Sequence, residues 1–237
     1  MKKKIEYKSR IIEFELIRRK RKTMGISIEP PNIVKVAAPF KVPEYIILEK
    51  VLGKADWIIK KLDEFSAKGI TTTKKAFQTG ELFLYLGENY ALNIVLDAKY
   101  KRPIIELQGK EICIHTSLDD KDKLRIAMEK WLRKKAMEVI SERVKYFQRY
   151  FSKVPIGIVI KEQKKRWASC TGKDKLLFNW RCVMASGEVI DYIVLHELCH
   201  MVHKNHSKDY WNLVSSLMPD YKKKQDWLKH NGVLMNI

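Results

Sequence analysis

Apolar positions fall into two registers along this chain, and the switches between them mark its elements. In the first third, residues 11–17, 24–28 and 34–38 alternate or are β-branched, with Pro30, Pro31 and Asn32 as a turn. A period of two predicts half-buried strands. Pro43 then opens a helix predicted to run to about Ala67, with Trp57, Ile58 and Leu62 among its apolar positions. A polar, threonine-rich linker covers 69–75, and two hairpins follow. One joins 82–86 to 90–96 around Gly87, Glu88 and Asn89; the other joins 104–107 to 111–115 around Gln108, Gly109 and Lys110. From Asp119 to about Tyr150 the period lengthens to that of one long amphipathic helix, marked by Leu124, Met128, Trp131, Leu132, Ile140 and Val144. Short strands at 156–160, 166–169 and 176–180 come next, the last two joined by a turn at 171–174. No internal repeat or low-complexity tract is visible. The pattern predicts an α+β chain, with a β-rich N-terminal domain carrying one helix over 1–117 and a second domain over 118–237.

The stretch 186–203 follows neither period cleanly. Val189, Ile190, Ile193, Val194, Leu195, Leu198, Met201 and Val202 leave a helix apolar on most of its circumference, and such a helix is buried. Ser186 is placed to cap it, and Glu188 sits in the first turn, where the helix dipole favours an anion. Yet this buried helix carries His196, Glu197 and His200. Polar groups buried without partners cost on the order of 1–3 kcal/mol each, and a shared ion removes that cost. Two histidines four apart lie one above the other, about 6 Å along the axis, so both can turn a nitrogen toward one Zn2+. Glu197 is rotated by about 100° and is free to take a proton from water. The H-E-x-x-H pattern is the helix-borne signature of zinc hydrolases.

Catalytic zinc usually takes three protein ligands and keeps a position open for water. No glutamate follows Glu197, so the third ligand comes from His203, His206, Asp209, Asp220 or Asp226. His203 sits about 10 Å along the axis from His196, a strained reach while the helix stays intact. Lys204 and Asn205 read as a helix end, Asn being suited to a left-handed residue. His206 follows that reversal and is favoured over Asp209, with Ser207 capping the next helix. Cys199, out of phase with the two histidines, reads as core.

These residues resemble the YgjP-like metallopeptidase family, relatives of the SprT-like zincins. The resemblance rests on K-R-W-A-S-C at 165–170, F-N-W-R at 178–181, I-D-Y-I-V-L-H-E-L-C-H, K-N-H-S-K-D-Y-W and P-D-Y-K-K-K-Q-D-W-L-K at 219–229. It is strongest from about Arg166 onward and extends more weakly over most of the chain, through R-K-R-K-T-M-G-I-S-I and Y-L-G-E-N-Y. It implies a zincin-like catalytic half with a small antiparallel sheet beside the H-E-x-x-H helix. It also implies one catalytic Zn2+ on His196, His200 and His206, Glu197 as general base, and a peptide or protein substrate. By the same analogy one of the short strands lines the cleft through Trp167 or Asn179. Tyr210, Tyr221, His230 and Arg181 are possible donors to a developing oxyanion.

Composition narrows the setting. The chain has 237 residues, 46% of them hydrophobic, which suits one large domain or two modest ones. No apolar span is long enough for a membrane. Lys2, Lys3 and Lys4 resemble a signal-peptide start, but Glu6, Lys8 and Arg10 stand where its apolar core belongs; the cytoplasm is the expected compartment. Cys113, Cys170, Cys182 and Cys199 form no C-x-x-C pair and read as reduced thiols. A net charge of +19 is spread over clusters at 18–22, 99–102, 133–135, 161–166 and 222–224. It leaves nucleic acid open as a partner. The leading function is a zinc-dependent metallopeptidase. The alternatives are a metal-dependent hydrolase of a phosphoester or nucleotide, and a basic nucleic-acid-binding protein with a structural metal.

Overall fold

A computed structural model describes residues 1–29, 31–67, 75–163 and 165–237. The chain forms two compact units, Met1–Thr73 and Lys74–Ile237. In the first, β1 (Lys2–Tyr7), β2 (Arg10–Arg19), β3 (Gly25–Glu29) and β4 (Ile33–Pro39) make a sheet in the order β1-β2-β4-β3. β1 pairs antiparallel with β2, β3 with β4, and the two hairpins join along a parallel seam between β2 and β4. Lys8 and Ser9, at the first turn, both have positive φ, the conformation that suits a tight hairpin. The lysine-rich start is thus a strand, its side chains alternating outward.

The single helix predicted from Pro43 is two, α1 (Glu44–Leu52) and α2 (Ala55–Ala67), parted at Gly53, a weak helix former. The break lets Ile47 and Val51 of one, and Ala55 and Ile58 of the other, pack on Ile12, Phe14, Leu16, Val34 and Val36.

In the second unit, β5 (Leu82–Tyr85), β6 (Glu88–Leu96), β7 (Ile104–Gln108) and β8 (Glu111–Thr116) repeat the first sheet's plan. The order is β5-β6-β8-β7, with a parallel seam between β6 and β8. The long helix α3 (Lys121–Gln148) begins at Asp120, whose side chain accepts from the Asp122 and Lys123 amides. Every fourth residue from Leu124 to Val144 is buried, a straight seam laid against sheet and helices.

Next come β9 (Gly157–Lys161), β10 (Ala168–Cys170), β11 (Lys175–Asn179) and a 3-10 turn at Trp180–Met184. α4 (Gly187–Val202), α5 (Lys208–Leu217) and α6 (Tyr221–Asn231) complete the unit. Two expectations are corrected here. The boundary placed at 117/118 falls inside this unit, because Phe83, Leu92, Ile112 and Ile114 share one core with Leu124, Met128, Val194 and Leu198. The small sheet is mixed rather than antiparallel: β10 pairs antiparallel with β11, but β9 runs parallel to it. No helix among the described residues is long and apolar enough to cross a membrane.

α4 is anchored at its start and along its flank. The Leu86 amide donates to the Val183 carbonyl at 2.9 Å and the Gly87 amide to Met184 at 3.1 Å. Gly87 has φ +82, and a Cβ there would stand 2.8 Å from the Cα of Ser186. Only glycine fits both demands. Arg143 of α3 grips the Asp191 carboxylate with two nitrogens, one at 2.7 Å, tying the two helices in a bidentate pair.

Candidate metal centre and cleft

His196 and His200 lie one turn apart on α4, half-buried, while Glu197 is buried. The helix ends at Val202 because His203 takes an extended backbone, with φ −118 and ψ 109. The left-handed residue expected at Asn205 is absent, since Asn205 is not among the positive-φ residues. Instead its Oδ1 accepts from the Ser207 amide at 3.2 Å, and Ser207 Oγ accepts from the Tyr210 amide at 3.4 Å. These two side-chain turns reverse the chain and start α5. The reversal carries His206 back over α4. Its Nε2 lies 3.1 Å from His200 Nε2 and 3.1 Å from His196 Nε2.

Three imidazole nitrogens at these separations fit a cation between them. His200 Nδ1 lies 3.0 Å from the His203 carbonyl; it must donate there, which leaves a bare lone pair on Nε2. One proton on His206 can satisfy only one of its two neighbours. Burial pushes His196 down to about 3, with His200 and His206 adding to the effect, and burial lowers His200 as well. Both shifts favour the neutral ring at His196 and His200, the form that ligates a metal. Nitrogens bound at about 2.1 Å around a tetrahedral ion stand roughly 3.4 Å apart, close to what is seen. Among the described residues the cluster comprises these three donors and no cysteine or carboxylate.

The rings are held by aromatics of α5 and α6. Tyr210, fully buried, stacks on His200 at 4.5 Å between centroids, and its hydroxyl donates to the His196 carbonyl at 3.1 Å. Trp211 stacks on His206, and Tyr221 on Trp211.

Glu197 accepts from the Cys170 amide of β10. Burial nevertheless pushes it up to about 8, against the opposing pull of that bond and of Arg166. Its Oε2 has no partner. A cleft of about 300 Å³ opens beside it, lined by Trp167, Ala168, Tyr192, Ile193, His196 and Glu197 from one side and Gln225, Leu228 and Lys229 from α6.

Other expectations resolve against this geometry. Trp167 lines the cleft; Asn179 is buried, donating to the Gln163 carbonyl at 2.8 Å and capping the 3-10 turn. Trp180 is core, its indole donating to Glu162 at 2.7 Å. Arg181 is engaged by Glu162 and Asn236, and Tyr210 by the His196 carbonyl. Neither reaches the cleft, and Tyr221 and His230 do not line it either. His203 contributes its carbonyl rather than its ring. Asp220 is paired with Lys224, and Cys199 is buried with its thiol pushed up to about 12 by burial.

Tyr192, Gln225 and Lys229 were not anticipated. Tyr192 had a legible signal: it stands four before His196 on the same helical face. Burial pushes its phenol up to about 12, and it shares a hydrogen bond with Gln225. It is a neutral hydroxyl at the mouth of the site.

Residues 22–231 match the YgjP-like family, metallopeptidase domain. No curated protein matches the chain. Among solved structures, the metallopeptidase zymogen of Pyrococcus abyssi abylysin is similar at 20% identity, over 42% of this chain and 90% of that one, with a TM-score of 0.31.

Proposed function

The chain belongs to the YgjP-like metallopeptidase family, a metal-dependent hydrolase, and we propose that it cleaves peptide bonds with one Zn2+ on His196, His200 and His206 and with Glu197 as general base. The observation that carries this reading is the convergence of three imidazole nitrogens, His206 Nε2 lying 3.1 Å from Nε2 of both His196 and His200, with the buried Glu197 carboxyl following His196 on the same helix. When bound, the divalent ion supplies the Lewis acidity that makes water nucleophilic near neutral pH and polarises a carbonyl.

The protein's own groups do the rest. Glu197 takes a proton from water and passes it to the departing amine. The bond from the Cys170 amide holds the carboxyl against β10 at the edge of the cleft. Trp167, Ile193 and Leu228 exclude water around the scissile bond. All four cysteines are free, which fits a reducing compartment such as the cytoplasm.

One feature favours a second substrate class. Lys229 is the cation that lines the cleft, and Trp167 and Tyr192 are its aromatic walls; a phosphoester or nucleotide would suit the same activated water.

Elemental analysis of the purified protein is expected to give one zinc per chain, lost in each His→Ala variant. Glu197→Gln should keep the metal and lose turnover by about 100-fold or more. A metal-free wild type under zinc-replete conditions, or an active Glu197→Gln, would refute the assignment. Peptides and nucleotides assayed side by side decide the substrate.

A further inference from the structure

The sheet of the first unit ends on β3, whose outer edge pairs with no strand among the described residues. A free edge presents unpaired amides and carbonyls to any extended chain. Beside it lies a cleft of about 360 Å³ lined by Met24, Gly25, Ile26, Lys50, Lys54 and Trp57. The Trp57 side chain is 42% exposed, a large aromatic left in water at the mouth of this cleft. The Arg21 guanidinium lies over Gly25, so close that a Cβ on Gly25 would stand 3.0 Å from it.

The cations at this cleft are available to an anion. Lys3, Lys8, Arg10, Lys35 and Lys61 each face a carboxylate. Arg21, Lys50 and Lys54 have no acidic partner among the described residues. The unit's sequence holds 17 Lys and Arg against 9 Asp and Glu, so the field around this cleft draws anions.

We propose that β3 is a docking edge for an extended acidic peptide segment. The segment adds as a fifth strand along β3, lays an apolar side chain on Met24, Ile26 and Trp57, and sets its carboxylates against Arg21, Lys50 and Lys54. A single-stranded nucleic acid could use Trp57 and the cations, but it would leave the β3 backbone groups unpaired; the free edge is what favours a peptide. The site is built entirely from the first unit and owes nothing to the histidine cluster.

The test uses the full chain, with and without chelator, at low salt. The probes are a fluorescent decapeptide alternating Glu with Leu, its Lys-for-Glu counterpart, an acidic version N-methylated at alternate amides, and a single-stranded oligonucleotide. The acidic peptide is expected to bind equally with and without chelator and to slow amide exchange across 25–29. Trp57→Ala and the pair Lys50→Glu with Lys54→Glu should each weaken it by about tenfold, while N-methylation on wild-type protein abolishes binding whether or not those variants fold. Equal binding of the basic peptide, indifference to N-methylation, or an oligonucleotide that binds through Trp57 where the peptide does not would overturn the proposal.

Discussion

The sheets β1-β2-β4-β3 and β5-β6-β8-β7 are built to one plan, two hairpins joined along a parallel seam, and each opens on a turn with two positive-φ residues. Those two turns serve different ends. In the first, Lys8 reaches the exposed Asp56 on α2, and the unit closes on itself. In the second, Leu86 and Gly87 hydrogen-bond to Val183 and Met184 and press against Ser186, so the turn becomes the seat of α4. The same topology gives a self-contained module in one place and part of the scaffold of the histidine cluster in the other. What differs is the chemistry of two residues at a bend: a charged side chain reaches its own helix, whereas a glycine lets a foreign backbone approach.

The strongest way to break this contrast is in the two cores. Ile12 and Ile112 are both buried on their sheets, and truncating either to alanine is expected to cost about 2–5 kcal/mol. Ile112→Ala should lower the thermal transition and metal affinity together, because its core runs into α4. Ile12→Ala should lower only a transition of the first unit, with zinc uptake unchanged. Loss of zinc binding in Ile12→Ala would mean the units are not energetically separate.

The turns come next. Gly87→Ala meets both a positive φ and the Ser186 backbone, an expected cost of about 2–4 kcal/mol, read as a drop in Tm with weakened metal uptake. Ser9→Gly, at the matching bend of the first sheet, should leave Tm within about 1 kcal/mol of wild type and metal uptake untouched.

The smallest effect is in pH. Among the described residues the one buried side chain of an acidic or basic residue is Glu197, in the second unit. Raised to about 8 from 4.5, it is protonated in the fold while already ionised in the unfolded chain, so stability falls as pH climbs through that window. His196, half-buried and lowered to about 3 from 6.5, acts the opposite way, its contribution lost as pH falls below 6.5. Only the first effect operates above pH 6.5. Metal-free protein should therefore lose stability in the second unit between about pH 6.5 and 8, and Glu197→Gln should flatten that slope while the first unit stays level throughout. A chemical-denaturation series against pH reads both.

Much of the site was legible because its signals are local. The spacing of His196 and His200 fixes their face on a helix, and the turn chemistry around Ser207 places His206 after a reversal. Tyr192 is readable by the same rule; Gln225 and Lys229 come from α6, and their approach is set by packing that no spacing records. The fold was legible as strands and helices, not as assembly. Alternation at 82–86 and 111–115 shows that one face is buried but not against what, so the shared core with α3 stayed hidden and the boundary was drawn too late. The twin sheets are hidden for a similar reason: their likeness is one of pairing order, which no residue spacing records.

Trp211 lies nearly parallel to His206, centroids 5.4 Å apart and planes inclined by 19°. A fluorophore in that position turns occupancy of the neighbouring ring into light. Titration of the apo-protein with Co2+, a quencher, should dim indole emission in step with uptake. Trp211→Phe should take up the ion with a smaller change in signal, the remaining quenching coming from Trp167, which lines the same cleft as His196. The molecule thus carries its own gauge of loading, readable on microgram amounts and before any substrate is known.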